Sequence, residues 1–147
     1  MKGYLLDVNV LIALAWPNHA QHSPAHQWFA GIQSAGWGTC MVTQLGFVRV
    51  SSHPKVDQHV STQEAWQKFG EIAATPGHSF WPEPSDGYAN QVFTQTRAKT
   101  LTHGQVTDGY LASVAALNGG KLATFDESLA RTFREISVRI PPAPRLA

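Results

Sequence analysis

Residues 2–16 read KGYLLDVNVLIALAW. An aspartate, Asp7, stands between the apolar groups Tyr4-Leu5-Leu6 and Val10-Leu11-Ile12, and Asn9 follows two residues later. Residues 2–6 have the short apolar character of a buried strand. Residues 8–16 carry a helix that must stop before Pro17. A strand, an acid and a helix in direct succession are the beginning of a β–α unit.

Strands and helices alternate along the rest of the chain. Ser23 and Pro24 form an N-cap and a first-turn proline, and Ala25, Trp28, Phe29 and Ile32 follow at helical spacing. Gly36 and Gly38 close that segment, and residues 39–42 are a second strand. Thr43 caps a helix through Leu45, Phe47 and Val48, and a loop with Pro54 follows. Ser61 and Glu64 have capping-box spacing ahead of Ala65, Trp66, Phe69, Ile72 and Ala73 on one face. Residues 79–81 are a third strand, stopped by Pro82. Ser85 caps a helix with Tyr88, Val92 and Phe93 inside, and Thr107 caps one that buries Tyr110, Leu111, Val114, Ala115 and Leu117. Asn118-Gly119-Gly120 ends it. Residues 121–125 are a strand, Asp126 opens a short helix, and residues 138–140 form a last strand before a proline-rich tail from 141. This alternation predicts one α/β domain over residues 1–147, its mostly parallel sheet flanked by helices on both faces.

At 147 residues the chain has the size of one domain. Only 14% of residues are charged, so each acid is informative. A net charge of +1 neither requires nor excludes a nucleic-acid partner. Cys40 is the only cysteine, which removes an internal disulfide and a thiolate zinc site and fits a reducing compartment. No signal peptide or membrane-length apolar run is present. The expectation is a soluble cytoplasmic protein with no membrane association.

Most acids occupy ordinary places. Glu64 and Glu71 fall on the outer side of the middle helix, Asp57, Glu83 and Asp86 in loops or a first turn, and Glu127 and Glu135 near basic neighbours. Asp7, Asp108 and Asp126 differ, because each follows an apolar or β-prone segment and opens a helix. A capping role explains Asp108 or Asp126 taken singly. It explains Asp7 less well, with apolar residues on both sides. In open α/β sheets functional groups gather at the carboxyl ends of the strands, where the three would converge. Crowded carboxylates repel and need a cation to stay ionised. Oxygen-only ligands select a hard divalent ion, Mg²⁺ or Mn²⁺, and such a site can hydrolyse phosphodiesters.

The segments YLLDVNVLIAL, VTQLGFVRV and VTDGYLASVAALNGGKLATFD, in this order, resemble the PIN-domain ribonucleases, in particular the VapC toxins of bacterial toxin–antitoxin pairs. The resemblance covers nearly the whole chain. It implies a PIN-like fold and a Mg²⁺- or Mn²⁺-dependent endoribonuclease acting on structured RNA such as tRNA or rRNA. It also implies a homodimer held inactive by a cognate VapB antitoxin. Asp7, Asp108 and Asp126 match three of the family's four acids and would be the metal ligands. The remaining acid position is Gln44, which brings a carbonyl oxygen but no charge and no basic function. Either three aspartates hold a metal while Gln44 positions a water, or the protein is a catalytically weakened module that binds RNA or antitoxin. Asn9 and Thr124 match positions that support the acids by hydrogen bonding. Thr43 and Thr107 adjoin Gln44 and Asp108 and complete that supporting set. Arg49, Arg131 and Arg134 are candidates for RNA phosphates.

Other candidates have plainer explanations. His22 and His26 have the spacing of a zinc pair, but no third ligand is evident. Among the tryptophans, Trp28 and Trp66 fall on apolar helix faces. Trp37 and Trp81, beside glycine and proline, are the ones expected to be exposed for stacking on bases. A phosphatase with Asp7 as nucleophile would want a second acid where Asn9 stands.

Overall fold

The structure, a computed structural model, describes residues 3–144. Strands β1 (Tyr4–Leu6), β2 (Trp37–Thr39), β3 (His78–Phe80), β4 (Lys121–Thr124) and β5 (Ser137–Arg139) form a sheet in the order β3-β2-β1-β4-β5. All pairings are parallel, with Leu5 opposite both Gly38 and Leu122. The helices are α1 (Val8–Ala15), α2 (His22–Ile32), α3 (Met41–Ser51), α4 (Thr62–Ala73), α5 (Gln91–Arg97), α6 (Val106–Leu117) and α7 (Glu127–Thr132).

Side chains alternate across the sheet, so its two faces nucleate separate cores. Leu6, Trp37 and Ala123 pack with α1, α2, α3 and α4 on one face. Leu5 and Leu122 pack with Trp81 and with Leu111, Val114, Leu129 and Phe133 of the α6 and α7 region on the other. The chain builds outward from β1 to β3, then returns to the opposite side of β1 with β4. That reversal makes the gap between the carboxyl ends of β1 and β4 a topological switch point.

The α/β architecture expected from sequence is present, and element boundaries move by a few residues. Lys2, expected in the first strand, lies outside the described residues. Strand β2 comes earlier than expected because Trp37 is fully packed. Helix α3 begins at Met41, since the Thr43 hydroxyl reaches back to both the amide and carbonyl of Cys40 at 3.0 Å each. Helix α2 starts at His22, which puts Ser23 inside it. Asn90, not Ser85, caps α5, accepting from the Phe93 amide at 3.1 Å. Helix α6 continues from a single 3-10 turn, His103–Gln105, so Thr107 lies exposed in its first turn and caps nothing.

The tryptophans correct the sequence expectation. Trp37 and Trp81 are each only 1% exposed. The Trp81 indole lies flush on backbone that carries no side chains: a Cβ on Gly38 would come within 2.0 Å of its Nε1, and one on Gly120 within 2.4 Å of its Cη2. Neighbouring glycines therefore make a slot for this ring. Trp37 stands edge-on to Phe29 and donates its Nε1 proton to the Pro76 carbonyl at 3.1 Å. Trp66, expected in the core, is 41% exposed, because it sits about 100° round α4 from the buried Ala65.

Candidate active site

Two strand ends meet through one hydroxyl. Asp7 leaves β1 as the N-cap of α1, and its Oδ1 accepts from the Val8 amide at 2.8 Å. Its Oδ2 accepts from Thr124 Oγ1, at the end of β4, also at 2.8 Å. Thr124 in turn accepts from Asn9 Nδ2 at 3.2 Å and from the Asp126 amide at 3.0 Å. Asn9 Oδ1 takes the Phe125 amide at 3.2 Å, which completes a clamp between the first turn of α1 and the loop after β4. Asp126 caps α7 through the Leu129 amide at 3.1 Å and stands exposed at the rim.

Asp108 enters from the first turn of α6 and is half-buried. Burial pushes its pKa up to about 6, and the charges of Asp7 and Asp126 push in the same direction. Burial also raises Asp7, opposed by the bonds from Thr124 and Val8 and helped by the Asp126 charge. Asp7, far from the other two in sequence, thus lies within range of the Asp126 charge, and Asp108 within range of both.

Gln44 belongs to the first half of α3, whose Gly46 is packed so closely on Val8 that a Cβ there would meet Val8 Cγ2 at 2.6 Å. Its Nε2 donates to Thr39 Oγ1 at 3.1 Å. Thr39 is fully buried at the end of β2, and its hydroxyl also lies 2.8 Å from His78 Nε2. Neither Thr39 nor His78 was singled out from sequence. The end-of-strand position of Thr39, equivalent to that of Leu6 just before Asp7, is the signal that would have found it. Nothing local marks His78, which reaches the site only through strand pairing.

Glu83 is not the ordinary loop acid expected. It accepts from the Met41 amide at 3.1 Å, and its hydrogen bond and charge, behind burial, raise the Tyr110 pKa. It ties the end of β3 to α3 and α6. The Thr43 hydroxyl is used at Cys40, and Thr107 is exposed. Arg49, Arg131 and Arg134 are all exposed, and Arg131 and Arg139 share Glu127 at 3.9 and 3.8 Å. His22 and His26 cap the carboxyl end of α1, each placing a ring nitrogen 2.8 Å from the carbonyl of Ala13 or Leu14.

Among the described residues no three of His, Cys, Asp and Glu close into a tight metal cage. The donor set is nonetheless of the kind that suits a hydrated ion. Carboxylates placed near one another gain from any cation between them, and Mg²⁺ typically binds through one or two carboxylates while keeping several waters. Asp7, Asp108 and Asp126 fit that role.

Comparison with known proteins places the chain in a class. Residues 4–134 match the PIN domain family, and the chain belongs to it. Within that family it belongs with the VapC ribonucleases. It is 42% identical to ribonuclease VapC39 of Mycobacterium tuberculosis (strain ATCC 25618 / H37Rv) over 127 residues, 86% of this chain and 90% of that one. It is 38% identical to ribonuclease VapC44 of the same strain over 128 residues, 87% and 89% of the two chains. The fold is similar to FitAcB from Neisseria gonorrhoeae, with a TM-score of 0.64 at 17% identity over 92% of this chain and 96% of that chain. It is equally similar to VapBC2 from Rickettsia felis bound to a promoter DNA fragment, with a TM-score of 0.64 at 14% identity over 95% and 98%. No helix among the described residues is long and apolar enough to cross a membrane.

Proposed function

We propose that this protein is a divalent-cation-dependent endoribonuclease, the toxin of a type II toxin–antitoxin pair restrained by a VapB-type antitoxin. The observation that carries this is the meeting of Asp7 and the Asp126 amide at the Thr124 hydroxyl, at the switch point of the sheet, with half-buried Asp108 close enough for the charges of Asp7 and Asp126 to add to the effect of its burial. The substrate class is structured RNA such as tRNA or rRNA, and the working form is a homodimer.

Asp7, Asp108 and Asp126 would hold Mg²⁺ or Mn²⁺, which when bound would supply positive charge at the scissile phosphate and lower the pKa of the attacking water. Asp7 is rigid, held at both oxygens, and cannot swing away when an ion's charge draws on it. Asp108 gives up its proton near neutral pH, so the crevice is ready for a cation at cellular pH. Asp126 stands at the exposed rim, where substrate enters. The water gives up a proton to solvent and its oxygen forms a new P–O bond as the ribose–phosphate P–O bond breaks, and the leaving oxygen takes a proton from solvent. Exposed Arg49, Arg131 and Arg134 would meet flanking phosphates. A purely binding role is not favoured, because the relatives carry the name ribonuclease.

The test is cleavage of purified tRNA and rRNA with Mg²⁺ or Mn²⁺. Asp7→Asn and Asp108→Asn should each abolish it, and so should a chelator. Cleavage that survives both substitutions and the chelator would sink the proposal.

A further inference from the structure

Gln44 stands where the family's acid pattern has a glutamate, and its surroundings define what that residue can offer. Its amide nitrogen is committed to Thr39 Oγ1 at 3.1 Å. An amide nitrogen only donates, so Thr39 accepts there. Thr39 then has one hydroxyl proton left to place, and it is fully buried, where an unplaced proton is costly. His78 Nε2 lies 2.8 Å away and takes it. Burial keeps His78 neutral by lowering its pKa, which leaves a lone pair for the bond. The ring is itself held between Trp37 and Phe69, with centroids 4.7 and 6.4 Å away.

We propose that Thr39 and His78 are positioning residues that hold the Gln44 amide with its nitrogen turned to the sheet, so that Oε1 is the atom position 44 presents to the crevice. Position 44 then works as a fixed neutral oxygen donor toward a hydrated cation, not as a vacated acid. The polarity of the relay is specific: Gln44 N–H to Thr39, Thr39 O–H to His78. A glutamate at 44 would face an accepting Thr39 with another acceptor. It could be accommodated only if the relay reversed, with His78 donating through Nε2. This inference deepens the cation site proposed above and rests on it for its effect on metal binding, but not for the relay itself.

Two measurements on the full chain test it. The first is the tautomer of His78 in cation-free protein, read from ring ¹⁵N resonances assigned with His78→Phe. The expected state is a proton on Nδ1 and a bare Nε2, with reversal to protonated Nε2 in Gln44→Glu. A wild-type ring protonated at Nε2 would overturn the relay. The second is Mn²⁺ affinity by titration calorimetry. Thr39→Val should weaken it roughly tenfold, while Thr39→Ser, which keeps the hydroxyl, should bind as the wild type does. His78→Phe should weaken it with the aromatic packing retained. Equal affinity in wild type, Thr39→Val and Thr39→Ser would also overturn the positioning role. Wild type that binds no Mn²⁺ would instead refute the cation site, and the tautomer would still decide the relay.

Discussion

Thr124 donates its hydroxyl proton to Asp7 Oδ2 across 2.8 Å and so joins the end of β4 to the end of β1. The Thr124 hydroxyl oxygen itself accepts from Asn9 and from the Asp126 amide. One buried hydroxyl thereby orders three of the residues expected at the site. Replacing it with a methyl in Thr124→Val should raise the Asp7 pKa further, because a bond that favours the charged form is lost. RNA cleavage should fall about 10- to 100-fold, the usual effect of removing a group that orients a ligand. Thr124→Ser should retain most activity, and single-turnover rates of the two variants decide the matter.

Asp108 sets a pH dependence whose sign can be worked out. Its folded pKa of about 6 lies above the ordinary value of 3.8, so between these values the folded protein binds a proton that the unfolded chain has released. Folding stability of the cation-free protein therefore declines as pH rises through that window. Asp108→Asn removes the penalty. It should raise the melting temperature at neutral pH and above, with an advantage that vanishes below about pH 4, while cleavage is lost. For wild type, cation and proton compete, so Mn²⁺ affinity measured by calorimetry should increase between about pH 5 and 7.

Gly38→Ala should be strongly destabilising, because its new methyl would lie 2.0 Å from the Trp81 indole nitrogen. An overpacked site of this kind typically costs about 1–3 kcal/mol. Gly31→Ala, in α2 with nothing within 4 Å, is the control and should stabilise by about 0.5–1 kcal/mol. Urea midpoints of the two variants check both.

Arg49→Gln and Arg134→Gln should raise KM for RNA with little change in kcat, since both side chains are exposed and contact flanking phosphates in the proposed complex. Each should also reduce the slope of log affinity against log salt by about one. Arg131→Gln should act more weakly, because Arg131 already faces Glu127 at 3.9 Å. Filter binding in calcium at several salt concentrations provides the measurement.

Much of the fold was legible in the chain. Strands and helices alternate in order from Tyr4 onward, with an acid between strand and helix at Asp7 and Asp126, and local polarity suffices to show it. Boundaries shifted where the capping group sat inside the helix, as Thr43 does in α3, or where an earlier turn ran directly into it, as in α6. The tryptophans misled because exposure was judged from chain neighbours. Proline beside Trp81 suggested a loop, whereas Gly38 and Gly120, remote in sequence, supply the space for its ring.

The sequence by itself determined which residues carry charge and where each stands relative to a strand end. Asp7, Asp108 and Asp126 therefore stood apart from the other acids, and the resemblance to PIN-domain ribonucleases implied an acid position at Gln44. Only the tertiary structure decided what surrounds them. Crossing from β3 to the far side of β1 brings β4 alongside, and that pairing sets Thr124 against Asp7. Pairing of β2 with β3 sets His78 against Thr39, and through it against Gln44. Hydrogen bonds between residues far apart in the chain depend on strand register, which is settled by packing of the whole sheet and leaves no local mark in the sequence.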